Sequence, residues 1–135
     1  MKLAVLLIAT LAMSGCVASV KDLASDPSTP QLTVSFNGDW RSTYQAISAA
    51  SLQCDAKSIR SAEDTATSTG TITSVLWERV AYVITVKPAP SGGGARVTVL
   101  MPMHETKQRQ TWPRLLDLWV NQNDRTTCPA DIWRG

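Results

Sequence analysis

Few side chains in this chain of 135 residues combine the types and spacing needed for chemistry. His104 is the sole histidine, and imidazole is the one ordinary base whose unperturbed titration falls near neutrality. A Ser-His-Asp arrangement would have to use it. Serines and aspartates are plentiful, but no GxSxG elbow presents one as a nucleophile. His104 reads instead as a polar residue at a strand end. A zinc cluster built on histidines is excluded by the same count. Glu63 and Asp64 are neighbours in a polar turn, and Glu78 and Glu105 border strands. They read as solvated surface, because a glycosidase needs two carboxyls facing each other at a set separation. Gly92-Gly93-Gly94 lacks the following Lys-Ser/Thr of a phosphate loop and precedes strand-like sequence, so it reads as a flexible hairpin. The five tryptophans are more informative. Trp40, Trp112 and Trp119 fall on helical apolar stripes and are assigned to the core. Trp77 ends a strand and reads as packed. Trp133, near the C-terminus, either folds back or meets a partner. Trp133 and Trp77 are the candidate interaction residues, since exposed tryptophan is favoured at interfaces.

The elements that position these residues begin after an unusual start. Lys2 precedes an apolar run over residues 3–13, and Ser14-Gly15 then lead into Cys16. The run is shorter than the roughly 20 residues of a membrane-spanning helix. It has the layout of a secretory signal peptide, and it resembles the lipobox of bacterial lipoproteins. That resemblance implies cleavage before Cys16, acylation of the Cys16 sulfur and amine, and a stable lipid anchor, since several chains hold a protein where one is marginal. Val17 stands where an Asp would imply retention at the inner membrane. The resemblance therefore implies an outer-membrane protein facing the periplasm, with lipid as the partner of Cys16.

Removing Cys16 from the pool leaves Cys54 and Cys128, an even pair in an oxidising compartment, which reads as a structural disulfide. A free redox pair or a metal site would call for CxxC spacing, which is missing. The bridge would close a loop of about 75 residues and, by chain entropy, stabilise the fold by up to about 4–5 kcal/mol. Thirteen Lys and Arg, less Lys2, leave twelve against eleven Asp and Glu, so the mature chain is nearly neutral. Its cations are scattered, whereas nucleic-acid binding wants a clustered basic face. Nucleic acid is excluded on that ground and by export. No cofactor is expected.

Residues 1–15 thus read as signal peptide, 16–30 as lipidated N-terminus and flexible tether, and 31–135 as one domain. Alternation predicts a strand over 31–36. Asn37 or Asp39 can cap a helix over 40–53, whose stripe is Trp40, Tyr44, Ile47, Ala50 and Cys54. A short strand over 57–62 and a polar turn over 63–69 follow. Strands are expected over 70–77, 79–87 and 95–103, the second with Val80, Tyr82, Ile84 and Val86 on one face and the third with Val97, Val99, Met101 and Met103. Residues 88–94 form a long hairpin loop. A second helix is expected near 110–122, capped by Thr111, with Pro113 in its first turn and Trp112, Leu115, Leu116 and Trp119 buried. Strands grouped between two helices give an α+β fold, a small antiparallel sheet of three to five strands with both helices on one face.

That order is similar to the helix-grip domains of some envelope lipoproteins. It is also similar to small uncharacterised proteobacterial envelope lipoproteins with one cysteine ending an early helix and another near the C-terminus. An architectural likeness of this kind carries no function. The expected role is a non-catalytic binding or accessory component of the envelope, with an envelope protein or peptidoglycan as partner. The alternatives are a periplasmic inhibitor or immunity protein, with the 88–94 loop as its plug, and a small hydrolase using His104 or the acidic residues.

Overall fold

The computed structural model describes residue 23, residues 25–102 and residues 106–133, with backbone alone for 106–108 and 132–133. Cys16, Met103, His104 and Glu105 lie outside these residues. The elements run β1 (Gln31–Phe36), α1 (Trp40–Asp55), β2 (Ile59–Asp64), β3 (Thr69–Leu76), β4 (Arg79–Pro88), β5 (Ala95–Leu100), α2 (Thr106–Val120) and the short α3 (Pro129–Trp133). The strands form one sheet in the order β1-β5-β4-β3-β2, with every pair antiparallel. Both long helices pack on one face, so the fold is α+β.

Local sequence explains most of this. Asp39 caps α1 by accepting from the Ser42 amide at 3.0 Å and the Ser42 hydroxyl at 2.6 Å, satisfying an orphan donor of the first turn. Tyr44, Ile47 and Ala50 are then buried at helical spacing, with Trp40 and Cys54 partly buried at either end of the stripe. Opposite them, Ile72, Ile84, Val86, Val97 and Val99 form the apolar side of the sheet. Gly70 sits directly under Tyr44, where a Cβ would overlap the ring. Tyr82 meets Trp112 edge to face at 4.9 Å between ring centres, and Trp112 meets Trp119 at 6.3 Å. Trp119 donates from Nε1 to the Thr127 carbonyl at 2.8 Å. Next in sequence, Cys128 is bonded to Cys54, with Cα atoms 5.5 Å apart. The bridge ties the end of α1 to the segment after α2.

Four details differ from the sequence reading. A β-bulge falls where β3 meets β4: Ser74 pairs with Tyr82 but Val75 pairs with Val80, leaving Ala81 as the extra residue. The added residue reverses the alternation, so Ala81 packs on the core in place of Val80. Helix α2 begins at Thr106, which places Thr111 and Pro113 inside it. Proline there removes a hydrogen bond and crowds the preceding turn, a penalty of about 3 kcal/mol. Burial of Trp112, Leu115, Leu116 and Trp119 offsets it. Strand β2 extends through Glu63 and Asp64, because Glu63 meets Arg41 at 2.6 Å and Asp64 accepts from the Ala66 amide at 3.0 Å to start the turn. Finally, β5 stops at Leu100, although Met101 remains buried as expected.

Candidate functional site

Two surfaces stand out, at different places on the sheet. The first is the end at which β1 begins. Gln31 pairs with Leu100, and Leu100 pairs with Val83. Pro30, the residue before β1, accepts from the Met101 amide at 2.9 Å. The β3–β4 hairpin continues past this level through the pairs Ser74–Tyr82, Val75–Val80 and Leu76–Arg79, an overhang of about 10 Å at the usual rise per residue. At its tip Trp77 and Glu78 have φ of +48° and +62°. Positive φ at both central residues is what a two-residue hairpin matching the strand twist requires. The left-handed region disfavours side chains other than glycine by about 1–2 kcal/mol per residue. Trp77 is 87% exposed. The expectation that it packs is therefore overturned: a two-residue turn at the end of an overhanging hairpin leaves it no neighbour to pack against.

The C-terminal end of α1 flanks this hairpin. Ser58 accepts from the Val75 amide at 2.9 Å. A cleft of about 160 Å³ lies between them, walled by Cys54, Cys128, Leu76 and Tyr82. That is below the roughly 300–1,000 Å³ of ligand pockets. Burial pushes the Tyr82 phenol up to about 12, only partly offset by the Ser74 and Ser51 hydroxyls that face it. Beyond the bridge, Asp124 organises the turn leading to Cys128. It accepts from the Thr127 and Thr126 hydroxyls at 2.7 and 2.8 Å and from the Thr126 amide at 2.8 Å. These donors, the Thr127 hydroxyl foremost, hold its carboxyl down at about 2.

The second surface is the sheet face turned away from the helices. Ala62, Thr71, Thr85, Thr98 and Thr33 stand opposite one another in one row across all five strands. The Thr33 and Thr98 hydroxyls are 3.4 Å apart. One step along, Lys87 is paired with Arg96. Like charges directly opposite repel, and neither cation has an ion-pair partner among the described residues. A groove of about 260 Å³ joins these groups, lined by Gln31, Thr85, Lys87, Arg96, Thr98 and Leu100. It offers hydroxyls and two cations to a polar or anionic ligand. Each threonine fits the alternation of its strand, but their alignment depends on strand order and register, so the row has no signature in the sequence.

The remaining candidates are dispersed. Cys54 and Cys128 are joined. Cys16 and His104 lie outside the described residues, as does the side chain of Trp133 at the end of α3. Glu78 is at the hairpin tip, and Glu63 and Asp64 are on the edge strand β2. Among the described residues, no group of three His, Cys, Asp or Glu converges on a point that could hold a metal, and no helix is long and apolar enough to cross a membrane. Comparison with known proteins adds no relative: no family model, no curated protein and no solved structure matches the chain.

Proposed function

We propose that this chain is a lipid-anchored protein of the bacterial cell envelope, held to the periplasmic side of the outer membrane through acylated Cys16. It acts there as a non-catalytic binding or accessory component. The observation that carries this reading is the Cys54–Cys128 bridge. Disulfides of this kind persist in oxidising compartments, and the pairing leaves Cys16 as the odd cysteine, at the position where the leader would be cleaved and acylated. The binding role draws on the threonine-rich part of the sheet face turned away from the helices. Its threonine row and the Lys87–Arg96 pair suit a ligand rich in hydroxyls and carboxylates, a chemistry that peptidoglycan supplies.

Fractionation tests the anchor. The wild-type chain should sediment with membranes and Cys16→Ser should not; co-sedimentation of both would sink the anchor. Binding is tested by sedimentation with purified peptidoglycan. Lys87→Ala with Arg96→Ala should lower the bound fraction several-fold, and unchanged retention would remove this face from the proposal.

A further inference from the structure

We propose that Trp77 is a second membrane contact, docking the tip of the β3–β4 hairpin into the headgroup region of the same bilayer that holds Cys16. The inference rests on the lipid-anchor reading above. Three observations place the contact. The ring is 87% exposed at the tip of a hairpin that overhangs the sheet. The backbone presenting it is left-handed at both turn residues, although neither is glycine, and conformations of this kind collect where strain serves function. The tip also projects from the end of the sheet at which the tether joins β1. A lipid on Cys16 would therefore pull this end of the domain towards the membrane.

The chemistry fits a bilayer interface. Tryptophan concentrates at the level of lipid headgroups, where its apolar ring is buried and its N–H stays hydrated. Leu52, the other exposed large apolar side chain among the described residues, is in the last turn of α1, towards the same end. Lys57, Arg60 and Arg79 exceed Asp55 and Glu78 there by a single charge, so the contact should depend only weakly on lipid charge. One aromatic ring would hold a free protein only weakly. The tether changes that by making the second contact intramolecular at high effective concentration. Residues 17–30 can span at most about 50 Å when extended, which is ample. Docked in this way, the domain would direct the 89–94 loop and the Lys87–Arg96 end of the groove away from the membrane, where a periplasmic ligand can reach them.

The test uses the full acylated chain reconstituted in phosphatidylethanolamine–phosphatidylglycerol vesicles whose acyl chains are brominated near the headgroup. Bromine should quench about one tryptophan's share of the emission from the five present, to a similar extent across phosphatidylglycerol contents. Trp77→Ser, which removes an exposed side chain and leaves the core intact, should abolish that quenching while the protein still floats with the vesicles. Equal quenching in wild type and Trp77→Ser, or none in floating wild type, would overturn the contact and leave the anchor standing. Flotation of Cys16→Ser as complete as wild type would instead overturn the anchor. A photoreactive residue at position 77 should give lipid adducts in native envelopes, and a protein adduct in their place would reassign the tip to a protein partner.

Discussion

The β3–β4 and β4–β5 hairpins leave the same strand at opposite ends and turn by different means. The β4–β5 connection is a wide loop in which Ala89 and Gly94 pair at 3.1 Å. Its positive φ angles, +82° and +88°, fall on Gly92 and Gly94. Glycine adopts them without steric penalty, and at Gly94 a Cβ would also overlap the Phe36 carbonyl. The β3–β4 turn has two residues, and its positive φ angles fall on Trp77 and Glu78. Asn-Gly would serve that turn better by local energetics. One hairpin follows turn chemistry, while the other sets it aside and displays an indole. Where a local rule is broken without a packing gain, the side chain itself is the reason to look for a contact.

Substitutions separate the roles of the two hairpins, beginning with the bridge that supports the tryptophan-bearing end. Cys54→Ser with Cys128→Ser should lower unfolding free energy by up to about 4–5 kcal/mol on the chain-entropy estimate, read from urea denaturation. No loss of stability would mean that the sheet and helices hold this end unaided. Next, the two turns should respond with opposite signs. Gly94→Ala should destabilise by about 2–3 kcal/mol through left-handed strain and overlap. Trp77→Asn with Glu78→Gly should stabilise by about 1 kcal/mol or more, while removing the bilayer quenching. Thermal unfolding of both variants checks this, and a destabilised Asn-Gly variant would show that Trp77 supports the fold after all.

A smaller effect concerns Asp124, which is half-buried in a turn near the bridge. Its carboxyl is held at about 2 against an ordinary 3.8. A depressed carboxylate stabilises the fold fully above the ordinary value, and that contribution fades as pH falls through about 2. The Thr126 and Thr127 amide resonances should therefore titrate with a midpoint near 2, and in Asp124→Asn they should not move. A midpoint near 3.8 would show that the hydroxyl donors do not hold the carboxylate.

Much of the fold was legible because each signal was local. Alternation fixed β1 to its six residues, and Asp39 with the Tyr44–Ile47–Ala50 spacing fixed the start and the buried face of α1. The Cys54–Cys128 pair also followed, once Cys16 was set aside. The start of α2 was not legible, since Pro113 advertises a first turn and only burial of the tryptophan stripe keeps it mid-helix. The bulge at Ala81 was hidden for a related reason: Val80, Tyr82, Ile84 and Val86 alternate cleanly, and only pairing with β3 shows where the alternation slips.

Periodicity, capping and the even pair Cys54 and Cys128 are properties of neighbouring residues or of a count, so the number and type of the main elements, their apolar faces and the bridge could be read from the chain alone. Only long-range packing places Trp77 in solvent at the end of the sheet where β1 begins, and brings four threonines from four strands into one row beside Lys87 and Arg96. Both depend on strand order and register, which are set by long-range packing. No window of sequence contains the residues that must meet.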